Sequence, residues 1–149
     1  MLSLLLSASM ASIAAGVPDI FAASLLSGAS PGRILQLVAS GLLGEASYEK
    51  GRASIVLGLV LQIAMSFVIA LIYNMAFSRA AVVRVSPLLF GALYGGLVFV
   101  VMNFVVVPLS RAHPKPRWEL KTVIAMLIVM VLFGEIIAFI AATLVSPVA

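Results

Sequence analysis

Four long stretches of this sequence are almost wholly apolar, and each is long enough to cross a lipid bilayer as a helix. They cover about residues 2–27, 53–77, 85–110 and 122–145. Crossing a hydrocarbon layer about 30 Å thick takes roughly 20 helical residues. Backbone groups in lipid must bond within their own segment, so helices are the expected structure. The sequence therefore predicts an all-α fold, a polytopic membrane protein built as a bundle of four transmembrane helices.

The composition supports a membrane environment for the whole chain. Hydrophobic residues make up 64% of the sequence and charged residues 9%, whereas a soluble domain has about half and a quarter, respectively. Residues 1–149 are therefore predicted to form a single integral membrane domain whose surface contacts lipid. The net charge of +4 is expected in loops that face anionic headgroups, and it does not indicate a nucleic-acid partner.

A shorter amphipathic segment, at about residues 31–45, follows the first apolar stretch. Ser30 can cap a helix there, and Pro31 suits its first turn. About fourteen residues are too few to span the membrane, so a helix at the interface, or a partly re-entrant one, is expected. A helix packed on the bundle is the alternative. The helical period places apolar residues on one face and Gln36 and Ser40 on the other, the apolar ones being Ile34, Leu35, Val38 and Leu42.

The basic residues predict an orientation. If all four stretches cross, Arg79 and Arg84 lie on one side and seven basic residues on the other, namely Arg33, Lys50, Arg52, Arg111, Lys115, Arg117 and Lys121. Cytoplasmic loops carry an excess of Lys and Arg, so the seven are expected in the cytoplasm and both termini outside. Should the first stretch, interrupted by Pro18 and Asp19, not cross, only the N-terminus changes side.

The loop before the fourth stretch combines an aromatic residue, Trp118, with basic ones. Together these residues are candidates for contact with lipid headgroups, and an ordinary cytoplasmic loop is the alternative. The group consists of Arg111, Lys115, Arg117, Trp118 and Lys121.

Glycines in the third stretch predict close helix packing. Gly91 and Gly95 form a GxxxG pair, and Ala92 with Gly96 repeats the small-residue spacing one step round the helix. Small residues let two helix backbones approach in lipid. The contact is expected between two helices of one bundle. The alternative is a contact with a second copy of the chain or with a larger membrane complex. Membrane lipids are expected partners in either case.

Each apolar stretch carries one strongly polar residue near a common layer of the membrane: Asp19, Gln62, Asn103 and Glu135 in chain order. A charge near the bilayer centre costs at least about 2.5 kcal/mol, so such groups normally face the protein interior. Desolvation disfavours a charged carboxyl. Asp19 and Glu135 are therefore expected to be protonated much of the time. They either exchange protons or serve as neutral acids hydrogen-bonded to Gln62, Asn103 or a serine.

Several chemistries are excluded by what the sequence lacks. The chain has no cysteine and a single histidine, His113, which excludes disulfides, thiolate metal sites and a bis-histidine haem within one chain. It has no nucleotide-binding or metalloprotease motif, and no serine in an apolar stretch has a base nearby. No catalytic residue, metal site or cofactor is predicted, and the chain is not expected to be an enzyme.

Four segments carry a resemblance: 35–44, Gly51 with 57–59, 91–95 and 101–110. In them the chain resembles a widespread group of small bacterial inner-membrane proteins with four spans, distantly similar to the YagU-like proteins. The resemblance covers about residues 17–112 and implies architecture and an inner-membrane location, but no biochemical role. In that group a histidine often stands where Gln62 does and the acid at Glu135 is absent, so the resemblance favours Asp19 and Asn103.

Three functions fit these observations. The leading interpretation is an accessory or assembly subunit that packs against a larger membrane complex through its glycine face. The second is a small proton-linked transporter or permeation module that uses Asp19 and Glu135. The third is a lipid- or cofactor-binding bundle. A water-lined cavity that reaches Asp19 would favour the second, a dry bundle with an exposed flat face at Gly91 and Gly95 the first, and a deep apolar cleft open to lipid beneath Ile34 to Leu43 the third.

Overall fold

A computed structural model describes residues 1–112 and 119–145, and these residues are helical apart from short connections. A 3₁₀ turn follows α2, and a π-helical turn joins α5 to α6. The helices are α1 (Leu2–Ser27), α2 (Pro31–Leu43), α3 (Arg52–Arg79), α4 (Ala81–Val85), α5 (Pro87–Val101), α6 (Val107–Leu109) and α7 (Leu120–Leu144).

The prediction of four long apolar helices is confirmed. Leu2–Ser27, Arg52–Arg79, Pro87–Leu109 and Leu120–Leu144 are each long and apolar enough to span a membrane. The third of these is continuous through α5, the π-helical turn Met102–Val106 and α6. Pro18 lies inside α1 without ending it. Sequence reasoning did not predict α4, a single turn between α3 and α5.

The start of α2 follows its local sequence. The Ser30 hydroxyl accepts a hydrogen bond from the backbone N–H of Arg33 at 3.3 Å, and Pro31 occupies the first turn. The apolar face of α2 does not coincide with its buried face at two residues, because Ser40 is fully buried whereas Leu42 is 57% exposed. Burial of Ser40 is tolerated because its hydroxyl donates to the carbonyl of Leu37 at 2.6 Å.

The long helices form a chain of antiparallel neighbours. On α1 and α3, the Asn74 side chain donates to the carbonyl of Leu4 at 3.1 Å, and Gln62 contacts Asp19 on the opposite halves of the same two helices. α1 also packs against α7, and α7 against α5, whereas α3 and α5 scarcely approach each other backbone to backbone. The order across the bundle is therefore α3, α1, α7, α5.

Small residues set the spacing at the centre of this bundle. Three alanines of α1 and two of α7 are at most 1% exposed and belong to one core cluster: Ala8, Ala11, Ala15, Ala138 and Ala141. Residues of this size let two helix backbones pack closely where lipid supplies no hydrophobic force. α1 and α7 form the central pair, and α3 and α5 pack on its outer sides.

α2 lies against α3 at the end of the bundle that carries most of the basic residues. A Cβ on Gly58 of α3 would overlap the backbone carbonyl of Leu35 of α2, so only glycine fits there. The other end of α2 is joined to the end of α6, because the carbonyl of Gly41 accepts a hydrogen bond from the backbone N–H of Arg111 at 3.0 Å. α2 is thus a helix packed on the bundle.

Candidate ligand cavity

A cavity of about 210 Å³ lies between the four long helices. α1, α3, α5 and α7 all contribute to its wall, mostly with apolar side chains. The cavity begins near the middle of the helices and extends toward the end that carries α2. Its polar lining consists of Asp19, Gln62, Ser66 and Asn103.

At one end of the bundle, next to the cavity, two hydrogen bonds join α3 to α5. There, the Tyr94 hydroxyl donates to the carbonyl of Ile69 at 2.7 Å, and the Tyr73 hydroxyl donates to the carbonyl of Pro87 at 3.0 Å. The two tyrosine rings lie 5.3 Å apart, centroid to centroid. Tyr73 and Tyr94, here called the tyrosine bridge, close the gap above the cavity.

Asp19 and Gln62 form a direct pair on the cavity wall. The Gln62 Nε2 donates to the Asp19 carboxyl at 2.8 Å and also lies 3.5 Å from the carbonyl of Gly16. Both neighbours of this nitrogen are acceptors, so the orientation of the amide is chemically determined. The partner predicted for Asp19 among Gln62, Asn103 and the serines is therefore Gln62.

Asn103 reaches the cavity from an irregular part of the third span. Pro108 has no N–H to donate, and the backbone just before it forms a π-helical turn in which the N–H of Val107 bonds to the carbonyl of Met102. π-helical turns are frequent at functional sites because they re-aim side chains. The Asn103 Nδ2 donates to the carbonyl of Phe99 at 2.9 Å, which fixes the amide with its Oδ1 unbound by any described residue.

Glu135 lies apart from these three residues. It is half-buried on α7 and does not line the cavity, whose wall on that helix includes Phe133. Successive side chains of a helix are rotated by about 100°. Glu135, two residues after Phe133, therefore points almost to the opposite side of α7. The Cα of Glu135 would lie 3.2 Å from a Cβ on Gly91, so this part of α7 faces α5. The structure thus brings together Asp19, Gln62 and Asn103 and separates Glu135 from them.

Of the three predicted packing glycines, two lie in a contact between helices and the third does not. Gly91 and Gly95 lie in the contact between α5 and α7: a Cβ on Gly91 would be 2.6 Å from the Cβ of Ala138, and one on Gly95 would overlap the carbonyl of Met130. Gly134 of α7, which the sequence analysis did not single out, faces them. Gly96 has no described atom within 4 Å of its Cβ position, so it takes no part in this contact.

The predicted headgroup loop is described only at its edges. Arg111 and Lys121 are exposed. Lys115, Arg117 and Trp118 lie outside the described residues. Within the described ranges 1–112 and 119–145, no three His, Asp or Glu side chains are grouped as metal ligands.

Sequence reasoning missed the apolar part of the cavity. Four of the seven methionines of the chain line it, and they come from three different helices: Met65, Met102, Met126 and Met130. Two aromatic rings, those of Phe99 and Phe133, line it as well. An apolar residue in an apolar stretch gives no sign of whether it faces lipid or an internal space.

No protein-family model, curated protein or solved structure matches this chain. The resemblance to four-span bacterial proteins therefore stays a prediction, and a functional argument depends on the cavity and on the helices that surround it.

Proposed function

We propose that this chain is a multi-pass membrane protein that binds a small, largely apolar molecule inside its helix bundle. The observation that carries the proposal is the cavity of about 210 Å³ between four helices, with Asp19, Gln62 and Asn103 on an otherwise apolar wall. A pocket of apolar residues with a few polar groups that converge on it is the usual form of a small-molecule site.

The outer surface of the helices supports a membrane location. Large apolar side chains point away from the bundle along the long helices, and those more than half exposed include Val60, Ile72, Leu93, Phe104 and Phe139. Apolar patches of this extent are rare on monomeric proteins in water. In a bilayer these side chains contact lipid tails that are as apolar as they are.

The proposed orientation places the α2 end of the bundle in the cytoplasm of a bacterium, at its inner membrane. The antiparallel order puts Arg33, Lys50, Arg52 and Arg111 at one end, and Arg79 and Arg84 at the other. The excess of basic residues at the α2 end supports a cytoplasmic position for it, and the resemblance described above supports the choice of membrane.

Single cysteines test this orientation, because the chain has none of its own. Lys50→Cys and Val82→Cys place an exposed thiol at opposite ends of the bundle. In intact spheroplasts, a membrane-impermeant maleimide is expected to label Val82→Cys at once and Lys50→Cys only after permeabilisation. The unaltered chain is the control for background. Labelling of Lys50→Cys alone would reverse the orientation, and equal labelling of both in intact cells would contradict membrane insertion.

The size of the cavity sets the size of the molecule. An engineered protein cavity of about 150 Å³ takes up a benzene molecule, so this one has room for a single aromatic ring with a short chain. Methionine side chains are flexible and polarisable and adapt to irregular ligands. The four methionines on the wall therefore suit a site that takes up molecules of similar size and variable shape.

Two tryptophan variants at adjacent residues of α7 test the cavity as a binding site. Val129 lines the cavity, whereas Ile128 is exposed on the outside. Propylbenzene at about 100 times its Kd is expected to raise the Tm, followed by circular dichroism, by about 5–10 °C. The rise should persist in Ile128→Trp and disappear in Val129→Trp, whose indole fills the space. An equal rise in both variants would show that propylbenzene acts elsewhere, for example on the detergent.

The other two functions have less support. An accessory subunit that docks through its glycine face needs that face exposed, and α7 covers Gly91 and Gly95. A transporter with two carboxyls needs Asp19 and Glu135 in one path, whereas only Asp19 lines the cavity. Ligand binding at Asp19, Gln62 and Asn103 requires neither an exposed glycine face nor a second carboxyl in the same path.

A further inference from the structure

We infer that the ligand of this cavity is a small organic cation, a protonated amine that carries an apolar group. The inference rests on the proposed function, since it names the class of molecule that the same cavity binds. Three features of the wall lead to it: the kind of polar atoms left unbound, the sign of the charge, and the chemistry of the apolar part.

All the polar atoms that remain for a ligand can act as hydrogen-bond acceptors. The amide nitrogens of Gln62 and Asn103 already donate within the protein, to Asp19 and to the carbonyl of Phe99. This leaves the amide oxygens, Gln62 Oε1 and Asn103 Oδ1, the second carboxyl oxygen of Asp19, and the Ser66 hydroxyl, which can accept as well as donate. An ammonium group has three N–H donors and no acceptor, so it matches such a set of oxygens better than a hydroxyl or an amide does.

The charge of the cavity wall also favours a cationic ligand. Of the described residues that line the cavity, Asp19 is the one ionisable side chain, and no Lys, Arg or His is among them. An isolated carboxylate away from water is costly unless a positive group pairs with it. A ligand that brings its own positive charge supplies the partner that the protein lacks, and it forms a charge-assisted hydrogen bond, which is stronger than a neutral one.

The apolar part of the wall favours an organic cation over a metal ion. Hard cations such as Ca²⁺ take 6–8 oxygen ligands, and the wall offers four side chains with oxygen atoms, so water or backbone carbonyls would have to complete the shell. Phe99 and Phe133 line the same space; aromatic rings attract cations, and the methionines accommodate a hydrocarbon group. The wall thus combines a small polar region for an ammonium group with a larger region for its apolar substituent.

Two probes of nearly identical shape test this inference. Phenethylammonium and propylbenzene differ by the replacement of a terminal methyl with an ammonium group. The Kd of each is measured from the dependence of Tm on probe concentration, for the unaltered protein and for Asp19→Asn. The substitution is expected to weaken phenethylammonium about 10- to 100-fold and to change propylbenzene by no more than about twofold. Glu135→Gln, which removes the other intramembrane carboxyl, should alter neither Kd.

The outcomes separate the inference from the proposed function. If propylbenzene binds and Asp19→Asn leaves phenethylammonium unaffected, the cation inference is overturned while the binding site stands. If neither probe binds the unaltered protein, both fail. If Asp19→Asn does not fold, 2-phenylethanol replaces it as the comparison: this neutral donor should bind the unaltered protein at least about tenfold more weakly than phenethylammonium, and equal affinity would overturn the inference.

Discussion

Alanine at Gly95 is expected to destabilise the helix bundle strongly, whereas alanine at the next residue, Gly96, leaves its stability almost unchanged. A Cβ at Gly95 would overlap the carbonyl of Met130 on α7, which is backbone and cannot rotate away. The two helices must therefore separate. Overpacking of a filled contact costs about 1–3 kcal/mol and sometimes more, and the upper end of that range is expected here, because the obstructing group is main chain.

Gly96 is a matched control, since it lies in the same helix and receives the same methyl group. Its Cβ position has no described atom within 4 Å, and alanine is a better helix former than glycine by up to about 1 kcal/mol. The measurement is the Tm of each variant in one detergent, followed by circular dichroism. Equal Tm values for Gly95→Ala and Gly96→Ala would contradict the contact between α5 and α7.

The same variant also connects the packing of α5 and α7 to the cavity. Both helices line it, α5 with Phe99 and α7 with Met130 and Phe133. If Gly95→Ala pushes them apart, the rise in Tm produced by propylbenzene should shrink, even at temperatures where the helices remain formed. Gly96→Ala should keep the full rise.

The helices could be predicted from the sequence because a long apolar run leaves the backbone few choices. In an apolar environment an uncharged run such as residues 53–77 must satisfy its own N–H and C=O groups, so its length and composition are enough to define a helix. The cap at Ser30 and Pro31 was equally accessible, because it depends on neighbours in the chain. In both cases the interactions that decide the structure are local.

The site was only partly predictable, because its geometry depends on how the helices rotate against each other. A polar residue in a span is expected to face the interior, and Asp19, Gln62 and Asn103 do so. Glu135 has the same sequence signal but lies in the contact with α5, since close packing at Gly91 fixes the rotation of α7. The four methionines gave even less indication, because methionine faces lipid and protein equally well.

The burial of individual α2 side chains could not be predicted for a related reason. The sequence pattern placed Leu42 on the apolar face and Ser40 on the opposite face, whereas Ser40 is buried and Leu42 exposed. The backbone contact at Gly58 and the bond that the Arg111 N–H donates to the Gly41 carbonyl hold the helix in this position. A short helix that is held by its backbone follows those contacts rather than the hydrophobicity of individual side chains. Gly58 is therefore a position at which the placement of α2 can be tested.

Alanine at Gly58 is expected to displace α2 from the bundle, because the added methyl would overlap the backbone carbonyl of Leu35. Ser40→Cys reports the displacement, since Ser40 is fully buried and a cysteine there is the only thiol in the chain. A maleimide should label it at least about tenfold faster in the Gly58→Ala background than in the unaltered one.

Gly32→Ala is the control, for it adds the same methyl to α2 itself. There the nearest atom is the Cδ1 of Ile55 at 3.3 Å, the flexible end of a side chain that can move aside. Labelling of Ser40→Cys should stay slow in that background. Fast labelling in all backgrounds would mean that α2 is not held against α3, and slow labelling in all of them would mean that the bundle accommodates a methyl at Gly58. Fast labelling in all backgrounds would also mean that the bond donated by the Arg111 N–H to the Gly41 carbonyl does not position the end of the span that carries Asn103.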